Sequence, residues 1–374
     1  MGALGEAACI VVQAATHCIG RASICLSGST GSFTMDQRMP AAIDEISADG
    51  HALTQSDLTA RGSPLVIRGL CDNWPVVMAA RESDTAFAKY LASFDSGVEV
   101  DTLLMAPEEG GVIGYNAAMD GFNYRHFRVT VTEVLRRLAT YSRREEPTPG
   151  VALQSALIPA CLPGFGQQHR LAALQETIEP RLWIGNRVTT PAHFDASHNL
   201  AVVVCGRRRF TLFAPQQVGN LYIGPLDFAP TGAAISMARL DRPDDPRFPR
   251  LQQALEQSLV SELEPGDAIY MPPLWWHHVA SLERLNALVN YWWKPDLGTE
   301  TTPDSGIGAL LHAILALKSL PHHERAAWQV LFDHYVFKDQ NPAAHIPAER
   351  RSWLGPLTPA LVLQLKERIR SFFE

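Results

Sequence analysis

Hydrophobic positions change their period twice along this chain. From Met35 to about Pro180, short apolar runs alternate with helical stretches. Ser63-Pro64-Leu65-Val66-Ile67-Arg68-Gly69-Leu70 has the unbroken apolar run of a buried strand, and Cys71-Asp72-Asn73-Trp74-Pro75 closes it with a turn signal. Between Thr130 and Tyr141, Val131, Val134, Leu135 and Leu138 recur at helical spacing, with Arg136 and Arg137 on the other side. From Arg181 to Pro295 the pattern is one of strands. Leu200–Val204, Arg209–Phe213, Ala268–Met271 and Ala287–Trp293 are short, rich in β-branched and aromatic residues, and mostly bounded by Gly or Pro. Short strands without long intervening helices predict an antiparallel barrel or sandwich. Pro215 to Pro265 reads as a long insertion between two of them, with a short helix over Leu251–Leu259. After Thr302 the pattern is helical again. Ile307, Leu310, Leu311, Ile314 and Leu315 make one amphipathic face; Val362, Leu365, Ile369, Phe372 and Phe373 make another.

Composition narrows the class. The chain has 374 residues, 46% hydrophobic and 19% charged, enough for a sizeable core and unlike a disordered chain. A net charge of −7 argues against nucleic acid or an anionic membrane as partner. No run of about eighteen apolar residues suggests a spanning helix. The cysteines at 9, 18, 25, 71, 161 and 205 form no CxxC pair, so neither a zinc finger nor a disulfide scaffold is expected, and a cytoplasmic protein fits best. Residues 1–34 are Ala-, Gly-, Ser- and Cys-rich with almost no charge. With no basic start they do not read as a signal peptide, but as a loose extension or a start assigned too early, with Met35 as the true start. The expected division is therefore 1–34, an α/β flank over 35–180, a β core over 181–296 and a helical segment over 303–374.

The chemistry concentrates in Asn186-Arg187-Val188-Thr189-Thr190-Pro191-Ala192-His193-Phe194-Asp195-Ala196-Ser197-His198-Asn199. In a strand, residues i and i+2 share a face, so His193 and Asp195 can point together into a barrel. An imidazole and a carboxylate on one face make two of the three ligands of a non-haem iron(II) oxygenase. The third must come from another strand, and Met271-Pro272-Pro273-Leu274-Trp275-Trp276-His277-His278-Val279 can supply it. Alone, His-x-Asp is equally what a solvated pair on a surface strand looks like.

The wider frame is more specific. Thr-Pro-Ala-His-Phe-Asp, Leu-Phe-Ala-Pro, Pro-Gly-Asp-Ala-Ile-Tyr-Met-Pro, Trp-Trp-His-His and Val-Asn-Tyr-Trp follow one another in order. In this set, from about Pro64 to Lys294, the sequence resembles the JmjC-type, cupin-like (cupin-8) Fe(II) and 2-oxoglutarate-dependent oxygenases, most of all their asparaginyl-hydroxylase branch and the bacterial cupin-like proteins. The resemblance implies a mostly β fold with flanking helices: a double-stranded β-helix, or jelly roll, behind an α/β flank and before a C-terminal helical segment. It implies metal ligation by His193, Asp195 and His277, the first of the two adjacent histidines. His278 would face the other side of its strand, and His198 would lie near the ligands or at the surface. Arg208 falls where relatives hold the far carboxylate of 2-oxoglutarate with lysine; arginine can grip it bidentately. Thr190 would bind the same carboxylate, with Asn199 and Asn290 flanking the site and Gln154 retained. Arg207 and Arg209 would point away. Ala152 departs from the pattern, standing where relatives carry a tyrosine.

The expected activity is that of an Fe(II)/2-oxoglutarate dioxygenase, using dioxygen to hydroxylate a protein side chain or a small polar substrate. Two alternatives share these residues: a metal-binding cupin with other chemistry, and a non-catalytic module that offers its barrel groove to a partner. A homodimer through the C-terminal helices is also expected, since their apolar faces need cover and two-fold pairing is common.

Overall fold

A computed structural model of the chain describes residues 40–48, 53–294 and 305–372, so the expectations for residues 1–34 lie outside the described part. The first elements are β1 (Ala41–Ala42), β2 (Glu45–Ser47), α1 (Gln55–Ala60) and β3 (Leu65–Arg68), the strand foreseen in Ser63–Leu70. Helices α2 (Pro75–Glu82) and α3 (Asp84–Ala92) follow, then β4 (Val100–Met105) and β5 (Tyr124–Val129). Helix α4 (Val131–Tyr141) starts at a capping box: Thr130 accepts from the Glu133 backbone while the Glu133 carboxylate accepts from that of Thr130. Its Val131, Val134, Leu135 and Leu138 are buried, as their spacing predicts. Strand β6 (Gly150–Leu157) and the short helices α5 (Ile158–Cys161) and α6 (Phe165–Gln168) lead to β7 (Arg181–Gly185), β8 (Thr189–His193), β9 (His198–Cys205) and β10 (Arg208–Phe213). The chain continues through α7 (Leu251–Glu256), β11 (Leu259–Leu263), β12 (Ala268–Met271), β13 (Trp276–Ser281) and β14 (Asn286–Trp293) to α8 (Ser305–Leu317), α9 (His322–Phe332) and α10 (Pro359–Arg370).

Among the described residues the strands form a five-stranded sheet, β1-β11-β10-β13-β8, and a nine-stranded sheet, β2-β3-β12-β9-β14-β7-β6-β4-β5. Pairing is antiparallel except at the edges, where β1 joins β11 and β2 joins β3 in parallel. The two sheets pack inner face to inner face. Phe210, Leu212 and Leu263 of the small sheet meet Ala201, Val203, Ile269, Met271 and Leu288 of the large one. This is the expected jelly roll. The reverse face of the large sheet carries Leu200, Val202, Val204, Val289 and Tyr291 into a larger core with Val76, Val77, Phe87 and Leu91 of α2 and α3 and with the α4 face. Strand β9 is therefore buried on both faces, and its apolar run hides any period of two.

Two expectations need correction. The helix predicted to reach Leu259 ends at Glu256, and Leu259–Leu263 is a strand of the small sheet, so the stretch from Pro215 is not wholly an insertion. Apolar residues on both faces of β11 conceal its alternation. The true insertion folds over the outer face of the small sheet, where Leu221 and Ala254 cover Ala192, Phe213 and Trp276. Arg68 ties the sheets at one edge: from β3 it donates to Asp267 at 2.7 Å, to the Glu262 carbonyl at 2.8 Å and to the Ser261 hydroxyl at 2.9 Å, while pairing with Glu45.

The turn from β9 to β10 demands glycine. Gly206 has φ +69°, and a Cβ there would stand 2.4 Å from the Leu285 carbonyl oxygen. Gly206→Ala combines the left-handed penalty with that clash and is expected to cost about 2 kcal/mol or more in urea unfolding. Gly62→Ala, with nothing within 4 Å of its Cβ, should stay within about 0.5 kcal/mol of the parent. Equal stabilities for the two variants would refute this account of the turn.

Candidate functional site

The pairing of β8 with β13 sets His193 directly opposite His277, their ring centroids 4.1 Å apart. Directly opposed residues share a sheet face, and the same register puts Leu212 of β10 beside His277, so both histidines look into the barrel. Strand β8 ends at His193, however, and Asp195 lies just beyond it. The alternation that was expected to aim Asp195 inward therefore does not act. The chain turns there instead: the Asp195 carbonyl accepts from the Leu274 N–H at 2.8 Å, which brings the carboxylate over the end of β13. Its Oδ2 stands 3.7 Å from His277 Nε2.

Hydrogen bonds decide what these groups offer. His193 Nδ1 faces the Pro191 carbonyl at 2.9 Å, and His277 Nδ1 faces the Trp275 carbonyl at 3.1 Å. A carbonyl can only accept, so each Nδ1 donates a proton there and each ring turns its Nε2 away from the carbonyl. Burial above all, with His193 second, pushes the His277 imidazole well below its usual range against the pull of Asp195, so it remains neutral. The His193 ring and the Asp195 carboxyl group thus both stand beside neutral His277 at one end of the barrel. Among the described residues, no group of three or more His, Cys, Asp or Glu side chains, this trio included, is arranged so that it could hold a metal ion as it stands. Its donor set is nonetheless that of a divalent cation site: imidazole nitrogen and carboxylate oxygen, with both tautomers fixed from behind.

Asp195 is held by a relay. Its Oδ2 accepts from Asn199 Nδ2 and from Trp292 Nε1, each at 3.0 Å. Asn199 Oδ1 accepts from Asn290 Nδ2 at 3.4 Å, and Asn290 Oδ1 accepts from Trp183 Nε1 at 2.8 Å. Asn199 and Asn290 were expected to flank the site; they brace its carboxylate. The two indoles were not foreseen. Trp292 was legible in principle, because it follows Asn290 by two along one strand and so shares its face.

Deeper in the barrel, the small sheet's inner face continues with Thr190 opposite Val279, then Arg208 opposite Ser281. Arg208 is buried, its Nε has no partner, and no ion pair reaches it among the described residues. Burial lowers its pKa to about 10, so it remains cationic at neutral pH. From Leu212, which is beside His277, to Arg208 is four residues, roughly 13 Å at about 3.3 Å each. A guanidinium side chain and a short dicarboxylate together can bridge that distance. Ala152 is buried among Leu103, Met105 and Val188, with Tyr124 in the same cluster, while Gln154 is half-buried further along β6.

His278 faces outward, paired with Thr211 and lining a cleft under the insertion, as expected. Arg207 and Arg209 are exposed and paired with Glu283 and Glu262. His198 departs from expectation, being neither near the ligands nor at the surface. It is buried on the helical side of β9, stacked against Tyr270 and Trp293 and bonded to the Tyr270 hydroxyl at 2.7 Å.

Comparison with known proteins agrees with this fold. The cupin-like domain family matches residues 51–299, and the chain belongs to that JmjC-related family. It is similar to Jumonji C domain-containing protein 5 of Drosophila melanogaster, 37% identical over 31% of this chain and 28% of that protein. It is similar to HSPB1-associated protein 1 of Bos taurus, 31% identical over 40% of this chain and 30% of that one. A lysine-specific demethylase of Arabidopsis thaliana is 35% identical over 27% of this chain and 18% of its own length. Each match spans less than a third of the relative's length.

The relay makes a direct prediction. Trp292→Phe keeps an aromatic ring on the inner face but removes one of the two donors to Asp195. Apparent Co(II) affinity, followed by absorbance or calorimetry, should fall about tenfold with the unfolding midpoint little changed. Unchanged affinity would mean that the indole does not position the carboxylate.

Proposed function

We propose that the chain is an Fe(II)/2-oxoglutarate-dependent dioxygenase that hydroxylates a protein side chain or a small polar substrate. One observation carries this reading: two imidazoles and a carboxyl group brought together in the same barrel as a buried arginine that is in no ion pair among the described residues. His193, Asp195 and His277 would hold the metal. Iron bound there would supply the activation of dioxygen coupled to oxidative decarboxylation of 2-oxoglutarate.

The chain's own residues do the rest. The carbonyls behind His193 and His277 keep the two rings aimed. Asn199 and Trp292 occupy Oδ2 of Asp195, leaving Oδ1 as the freer ligand atom. Arg208 would pair with the far carboxylate of 2-oxoglutarate, with Thr190 on the same face. With Ala152 unable to add a hydroxyl, Arg208 carries more of that grip, since one lost hydrogen bond is worth about 1 kcal/mol. The apolar inner faces of both sheets exclude water from the pocket. Neither a generic metal-binding cupin nor a binding module requires a buried cation at that depth.

Anaerobic addition of Fe(II) and 2-oxoglutarate is the decisive experiment: a visible charge-transfer band forms when both bind together. His193→Ala, Asp195→Ala and His277→Ala should each abolish iron binding while the fold survives, and His278→Ala should retain it. Arg208→Ala should keep iron but demand far more 2-oxoglutarate, because a buried carboxylate left unpaired costs about 2–5 kcal/mol. Arg207→Ala should change little. Iron retention in a ligand variant, or equal effects at Arg207 and Arg208, would overturn the assignment. Iron binding with no response to 2-oxoglutarate would favour a cupin of other chemistry.

We also propose a homodimer formed through the C-terminal helices. Leu311 and Leu315 of α8 are 50% and 72% exposed, and Leu363 of α10 is 60% exposed, more apolar surface than a lone helical tail leaves in water without cause. Leu311→Asp with Leu315→Asp should convert a dimer into a folded monomer by light scattering at micromolar concentration. A monomeric parent protein would refute the pairing.

A further inference from the structure

A second feature lies outside the barrel. Helices α3 and α4 pack side by side, and a groove of about 550 Å³ runs between them toward the turn that joins β13 and β14. It is open because the facing positions are small: Ala88 and Ala92 on α3, Ala139 on α4, with Leu135 and Leu285 beneath. Its rim is basic. Lys89, Arg136, Arg143 and Arg284 line it against a single acid, Asp84, in a chain whose net charge is −7.

Several other surface cations are neutralised in place: Arg207 by Glu283, Arg209 by Glu262, Arg239 by Asp241 and Arg247 by Asp245. Among the described residues none of the four groove cations is in an ion pair. Arg284 is anchored only by donating to the Ser142 carbonyl at 2.6 Å. Four unpaired positive charges around an alanine and leucine floor concentrate positive potential where apolar contact is also available.

We infer that this groove docks an acidic, amphipathic protein segment, its carboxylates meeting the rim and its apolar side chains the floor. The lining holds no aromatic ring on which a base could stack, which disfavours a nucleic acid. The apolar surface is recessed between helices and does not project, which disfavours insertion into a bilayer. The site is separate from the barrel chemistry and does not depend on it.

The test uses the full chain and a fluorescein-labelled peptide with glutamates and leucines at i, i+4 spacing on one helical face. Anisotropy should show saturable binding at physiological salt. Arg136→Glu with Arg143→Glu should weaken it more than tenfold, while Arg125→Glu with Arg128→Glu, both exposed on the edge strand β5, should leave it unchanged. If a peptide with serine in place of the leucines binds as well, the patch is only electrostatic and the docking proposal fails. It also fails if single-stranded DNA or phosphatidylserine vesicles bind more tightly than the peptide, or if the two double variants behave alike.

Discussion

The register between β8 and β13 is the constraint on which the rest depends. His193 stands opposite His277 because the two strands pair at that step and no other. A slip of β13 by one residue would turn His278 inward and His277 out, and would move every inner side chain of that strand to the outer face. The register is held from both sides. Phe210 and Leu212 must stay in the barrel core, while Phe213 and Trp276 are required in the separate cluster under the insertion. The apolar packing that stabilises the barrel therefore also aims the donors, and neither role can be changed alone.

Within that frame the barrel interior is divided by polarity. Around Ala201, Val203 and Ile269 it is a conventional apolar core. Toward Asp195 it becomes a chain of amides and indoles in which each acceptor of the relay has its donor. A buried amide without partners would cost about 1–3 kcal/mol, so Asn199 and Asn290 are affordable inside only because Trp183, Trp292 and Asp195 complete the chain. The relay spans β7, β9 and β14 of the large sheet and ends on a residue that neither sheet contains. It thus transfers the rigidity of the large sheet to a carboxylate lying past the end of a strand.

Much of this was legible in the sequence, and the failures are instructive. Strand alternation leaves room for only one of His277 and His278 inside, and the family resemblance, not the alternation, pointed to His277. The same rule misled at Asp195, since it holds only while the strand continues, and β8 stops at His193. His198 was misjudged because nothing local distinguishes a histidine facing the helical core from one facing the ligands; the register of β9 with β12 and β14 makes that choice. β11 escaped notice because Leu259 and Leu263 point inward while Val260 sits on the outer face. Spacing alone puts Trp292 on the face of Asn290, but that Trp183 and Trp292 close the relay depends on where three distant strands meet, which local pattern does not encode.

The unfinished bonding in the barrel links stability to the proposed chemistry. Arg208 Nε is among the buried polar atoms without a partner, and at the proposed metal site two imidazoles and a carboxyl group crowd together. Both conditions oppose folding: one leaves a cation desolvated, the other brings like partial charges together. A divalent cation between the donors and a dicarboxylate reaching Arg208 would relieve both at once. Because the unfolded chain gathers neither set of groups, such ligands would bind the native state selectively and raise its stability by mass action. A barrel arranged in this way would be held short of its own optimum until such ligands completed it.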